Sequence, residues 1–134
     1  MNNPPHRLPA YELDLCIDDI NRALGLGLAP GKAWLSSVIH AKTATKHAAD
    51  YNTVMKFLGE CCRAPTYIGQ HKKHPDKVEL ILDAALPGET AHVLVAVVLA
   101  SNPRGNYSIA SAYCVNDDEV AQRLARGSVK QVSR

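Results

Sequence analysis

The stretch HAKTATKH, residues 40 to 47, gathers the side chains best suited to chemistry on an anion. In a helix, His40, Thr43 and His47 fall at i, i+3 and i+7 on one face, with Lys42 and Lys46 as i, i+4 neighbours beside it. Two like charges at that spacing repel, so helix stability does not require them, and a bound anion would relieve the repulsion. Histidine titrates near neutral pH and can take or give a proton. Lysine can stabilise negative charge that builds on a phosphate in a transition state. The structural alternative is a surface helix that its lysines merely solvate.

Two further stretches carry suitable groups. In YSIASAYCV, strict alternation puts Tyr107, Ile109, Ser111 and Tyr113 on one face and Ser108, Ala110, Ala112 and Cys114 on the other. A small hydroxyl beside a tyrosine can hydrogen-bond a phosphate oxygen; the alternative is a half-buried strand with aromatic packing. In PTYIGQ, Tyr67 could stack on a base or donate a hydrogen bond, and Gly69 could admit close backbone approach or a bulge, against the plainer reading of a strand ending in glycine. His71 and His74, with Cys61 and Cys62 nearby, make a poor zinc set. Adjacent helical cysteines point about 100° apart, so no metal is expected, and Cys61 and Cys62 read as core residues. No phosphate loop, dinucleotide fingerprint or nucleophile elbow is present, and no cofactor is expected.

The elements that must position these groups follow from periodicity. Residues 1 to 10 read as a flexible, proline-containing tail, and 11 to 134 as one domain. Leu13, Cys16, Ile17, Ile20, Ala23 and Leu24 recur at helical spacing, which predicts an amphipathic helix over 11–24 that Gly25 stops. Ala33, Trp34 and Leu35 fit either a short strand or the entry to a helix. Ser36 or Ser37 can cap a helix over 37–48. Tyr51, Val54, Met55, Leu58, Cys61 and Cys62 form the stripe of the next helix, with Asp50 as its cap and Pro65 as its end. Four β-rich stretches follow: Thr66 to Gly69, Val78 to Asp83, His92 to Ala100 and Tyr107 to Val115. The short turns HKKHPD, ALPGET and SNPRGN between them predict an antiparallel meander, with HVLVAVVLA, apolar on both faces, at its centre. Asn116 caps a last helix that Gly127 stops. The expected fold is α+β: N-terminal helices on a four-stranded antiparallel meander sheet, with a C-terminal helix.

Composition bounds the function. A chain of 134 residues, 46% hydrophobic and 21% charged, is ordinary for one globular domain. Its longest apolar run, Val93 to Ala100, is eight residues, well short of the roughly 20 that a membrane helix needs. The opening MNNPPHRLPA predicts no secretory signal, and the sparse cysteines predict no disulfide framework, which favours the cytoplasm, either its own cell's or a target cell's. The net charge is +2, but residues 40–77 carry seven basic and three acidic groups, against three and four before them and five and six after. That central segment also holds four of the six histidines, which points to an anionic partner or to a lysine-rich solvated face.

The order of a Lys/His-rich helix, an amphipathic helix, then PTYIG, VELILDA, VLVAVVLA and SIASAYCV, and a helix ending RLARG resembles the phage-associated branch of the barnase–EndoU–colicin–RelE-like nuclease superfamily. The matching elements are Lys46 and His47, then Pro65, Tyr67, Ile68 and Gly69, then Ser111 and Tyr113, within about residues 33 to 130. The resemblance implies metal-independent RNA cleavage by 2′-hydroxyl attack on phosphorus, in a toxin-like protein or mobile-element effector. It makes His47 the acid/base candidate, Lys46 or Lys42 the phosphate stabiliser and Ser111 the phosphate-orienting hydroxyl, with Tyr67 or Tyr113 against a base or sugar and His40 and Thr43 beside the substrate. The implied partners are RNA, such as a transfer RNA, and an immunity or antitoxin protein. The rival reading is a non-catalytic protein-interaction module on the same fold.

Overall fold

A computed structural model describes residues 8–70, 73–84 and 92–132. In chain order the elements are β1 (Tyr11–Leu13), α1 (Ile17–Leu24), β2 (Ala33–Leu35), α2 (Ser37–Lys46), α3 (Tyr51–Arg63), β3 (Tyr67–Gly69), β4 (Lys77–Asp83), β5 (His92–Val98), β6 (Tyr107–Val115), α4 (Asp117–Arg126) and β7 (Val129–Gln131). The class is α+β, as the element pattern predicts. The sheet departs from a four-stranded antiparallel meander: among the described residues it has seven strands, ordered β1-β2-β6-β5-β4-β3-β7, and is mixed because β2 runs parallel to β6. The four expected strands make its middle, and β5 is the central strand of the seven. Of the other three strands, each three residues long, β2 takes the strand alternative for Ala33–Leu35, while β1 and β7 were not expected.

Both faces of the central strand are buried, and each face recruits its own cover. Val93, Val95 and Val97 of β5 join Val78 and Leu80 of β4 beneath Ile20 of α1 and Val54, Leu58, Cys61 and Cys62 of α3. Leu94 and Ala96 join Ile81, Val115 and Val129 of the edge strand β7 on the opposite face, covered by Val120 of α4. Fully burying a Val, Leu or Ile side chain contributes roughly 1.5–3 kcal/mol relative to leaving it exposed, so the two layers dominate the stability of the sheet. Cys61 and Cys62 are wholly buried, as their place in the stripe predicts. Burial, reinforced by the nearby Cys16, pushes the Cys62 thiol up to about 12.

The helix ends follow local chemistry. Ser36 Oγ accepts from Ile39 N at 3.1 Å and caps α2. Asn116 and Glu119 form a reciprocal capping box on α4, and Gly127, at φ 72°, ends it in the left-handed region that favours glycine. Two expectations are corrected. The helix predicted over 11–24 begins only at Ile17, because Tyr11–Leu13 pair with Leu35–Ala33 as a strand. Leu13 packs on the same core as the helix, so its apolar spacing does not distinguish strand from helix. Asp50 starts α3 but makes no side-chain cap bond; its carboxylate accepts from the Cys114 backbone N–H instead. Residues 1–7 of the expected tail, His71 and the whole ALPGET turn lie outside the described residues. Pro9, at the tail's end, is held: its carbonyl oxygen lies 2.7 Å from His40 Nδ1.

Gly69 is where β3 admits β7. A Cβ there would run into the Ser128 carbonyl oxygen and the Val129 side chain, with Val129 Cα at 2.7 Å. The obstruction includes backbone, which cannot swing aside as a flexible side chain would. Gly69→Ala is therefore expected to lose about 1–3 kcal/mol in urea unfolding; unchanged stability would mean that β7 does not pack this closely.

Candidate functional site

The site begins with an irregularity in β6. Ala96 of β5 faces Ser111, but the next residue, Val97, faces Ile109, so Ala110 is an extra residue: a β-bulge. The bulge overturns the expected alternation. Tyr107 and Ile109 belong to the α1/α3 core, as does Ala112, while Ala110, Tyr113 and Val115 belong to the opposite layer. Ser111 and Tyr113 thus part from Tyr107 and Ile109, and strict period-two counting fails at that point.

Beyond Ser108, no described strand pairs with the outer edge of β6, and α2 packs against it. The small side chains Ala110, Ser111 and Ala112 leave a cleft of about 200 Å³ there. Its other wall is one side of α2 and its C-terminus: Ile39, Lys42, Thr43, Lys46 and His47. The volume is below the roughly 300–1,000 Å³ of a drug-sized site and suits a group the size of a phosphodiester. Lys42 and Lys46 are exposed at the rim, and His47 and Ser111 are half-buried.

His47 is the C-cap of α2, with φ −121° and ψ 43°, so it leaves the helical path. Its ring stacks on Tyr113, with centroids 5.2 Å apart and planes 23° apart. A pair of this kind is worth about 0.5–1.5 kcal/mol and ties the orientation of the imidazole to the strand that carries Ser111. His40 stays within the helix and points elsewhere. It is 2% exposed, its Nδ1–H donates to the Pro9 carbonyl, and its Nε2 accepts from the Tyr51 hydroxyl at 2.6 Å. The expected role of His40 beside a substrate is thus corrected: both ring nitrogens hold the fold together. Thr43 lines the cleft, but its hydroxyl is committed to the Ile39 carbonyl at 2.9 Å.

Tyr67 is also displaced from the cleft. The cross-strand row Tyr113–Leu94–Ile81–Tyr67 spans three strand spacings, which is about 14 Å at ~4.8 Å each. Tyr67 could meet only a distant part of a ligand held at Lys46. Two groups on this face were not singled out from the sequence. Glu79 of β4 lies in the row Ser111–Ala96–Glu79, and Arg123 of α4 donates to it through Nε at 3.1 Å, both side chains largely buried. A charged residue within the buried run VELIL is a sequence signal for such a pair.

A larger hollow of about 510 Å³ opens at the start of α1 between Asp18, Asp19, Arg22 and Arg63. Arg22 is already paired with Asp19 at 2.9 Å, and no imidazole lines the hollow, so its chemistry is poorer than that of the smaller cleft. Among the described residues, no group of three or more His, Cys, Asp or Glu could hold a metal ion, and no helix is long and apolar enough to cross a membrane.

Burial, then the Glu79 and Glu119 charges, raise the Tyr113 phenol above the usual tyrosine range, with Arg123 pulling the other way. Its hydroxyl therefore remains a proton donor throughout the neutral range. The neutral form's contribution to stability is complete below about pH 10, where unfolded tyrosine ionises, and is lost as pH rises through the higher folded value. Tyr113→Phe should remove that part of the alkaline loss of stability and a phenolate absorbance step above the usual tyrosine range; an unchanged titration would refute the assignment. Comparison with known proteins finds no match for this chain among family models, curated proteins or solved structures.

Proposed function

We propose that this chain is a metal-independent endoribonuclease that holds an RNA phosphodiester in the cleft between α2 and β6. The observation that carries this reading is the convergence of two lysines, an imidazole and a serine hydroxyl, from two separate elements, on one phosphate-sized cleft. Phosphoryl chemistry needs that set: cations for the developing negative charge, a hydroxyl to orient a non-bridging oxygen and a group that moves protons. In this reading the RNA 2′-hydroxyl loses its proton and bonds to the adjacent phosphorus. The bond from phosphorus to the 5′-oxygen breaks, and that oxygen takes a proton. The products are a cyclic phosphate and a 5′-hydroxyl.

His47 is the proton-transfer group, with its ring set by Tyr113. Lys42 and Lys46 stabilise the phosphorane, and Ser111 donates to it. Tyr67 meets a base or sugar away from the scissile bond. The modest net charge of +2 suits a compact structured RNA such as a transfer RNA better than indiscriminate binding along a strand. The reading extends to a toxin-like or mobile-element role in a cytoplasm, with an immunity or antitoxin protein covering the cleft.

The test is incubation with total RNA and transfer RNA in excess EDTA. Wild type should cleave RNA and leave the all-deoxy strand of the same sequence intact, because only RNA carries the nucleophile. His47→Ala should cut the rate by about 10²–10⁴-fold while remaining folded, and Lys42→Ala with Lys46→Ala should both weaken binding and slow turnover. Cleavage by folded His47→Ala at the wild-type rate would overturn the site; no cleavage of either RNA by wild type would favour a protein-interaction module instead.

A further inference from the structure

Asp50 is a residue of the type that caps helices, at the start of a helix, and yet it does not cap. Its backbone is in the αR region, at φ −95° and ψ −11°, and its side chain is turned away from the first turn of α3. The carboxylate Oδ2 instead accepts from the backbone N–H of Cys114, 3.1 Å away and 64 residues along the chain. Cys114 directly follows Tyr113, the residue on which His47 stacks. On its other side Asp50 is tied to His47 itself, because the Asp50 N–H donates to the His47 carbonyl at 2.9 Å. One residue therefore links the turn that carries the imidazole to the strand that carries its stacking partner and Ser111.

We propose that Asp50 is the positioning residue for His47, an inference that rests on the ribonuclease reading of the cleft for its functional consequence. His47 lies past the last helical residue of α2, so the helix does not fix its ring. The stack on Tyr113 orients the imidazole only while the turn stays against the edge of β6. The Cys114 backbone N–H is a strong donor, and the Asp50 carboxylate accepts it in a charge-assisted bond. That bond holds the turn in place. Misplacing a reacting group by about 1 Å can cost on the order of a hundredfold in rate, so the contact matters to turnover without touching substrate.

The test compares Asp50→Ser with Asp50→Asn in the full chain. Both keep a residue type that favours a helix start, so α3 is retained. Serine is too short to reach Cys114, whereas asparagine keeps an acceptor oxygen at the same reach. The readout independent of activity is the ring-current shift of the His47 imidazole protons by Tyr113, with Tyr113→Leu defining its absence. Asp50→Ser should lose most of that shift, and its kcat for RNA cleavage should fall about ten- to a hundredfold with KM little changed. Asp50→Asn should restore both. A folded Asp50→Ser protein that keeps the full wild-type ring-current shift would overturn the inference, and Asp50→Ala replaces it with the same two outcomes if the serine protein does not fold. If wild type cleaves no RNA, the ribonuclease reading falls, while the ring-current comparison still decides whether Asp50 positions His47.

Discussion

The burial of β5 on both faces is the constraint on which the rest of the molecule depends. Five consecutive apolar side chains, Val93 to Val97, cannot all turn to one core when they alternate across a sheet. Each face must be covered, and the chain supplies unequal covers: α1 and α3 on one side, α4 on the other. The pairing of β5 with β4 and β6 follows, and with it the row that sets Ser111 opposite Ala96 and Glu79. The thinner cover leaves room on the second face for polar residues, and Glu79, Arg123 and Tyr113 lie there.

The cleft is a consequence of how β6 ends its pairing. β2 accompanies it only at Tyr107 and Ser108, so the remainder of its outer edge needs another neighbour. An open edge invites association with other chains. Here α2 packs against it and the Asp50 carboxylate takes the Cys114 N–H. The bulge at Ala110 turns Ser111 and Tyr113 away from the main core at the same place, and three small residues keep α2 from filling the space. A cationic helix face, a hydroxyl and a stacked imidazole thus meet because an unpaired edge is protected by a helix rather than by another strand.

Much of the site was legible in linear form. Lys42, Lys46 and His47 stood out by residue type and spacing, Ser111 through the family resemblance, and the fold brings all four to one cleft. His40 misled because spacing treats every residue of a helix alike, whereas burial turned its ring to Pro9 and Tyr51. Tyr67 stands three strand spacings from Tyr113, a distance that its motif does not show. Asp50 was read as a helix cap, the local use of its side chain, and the long-range contact to Cys114 prevailed.

Composition and periodicity by themselves determined the α+β class, α3, the ends of α4, the four middle strands and the centrality of β5, because these follow from short-range rules: caps, glycine stops and the burial pattern of a strand. Only the tertiary structure decided the three short edge strands, the parallel pairing of β2, the bulge in β6 and the side of α2 that faces the cleft. The physical reason is that these rest on contacts between residues far apart in the chain: the 64-residue span from Asp50 to Cys114 leaves no mark in any window short enough to show a period.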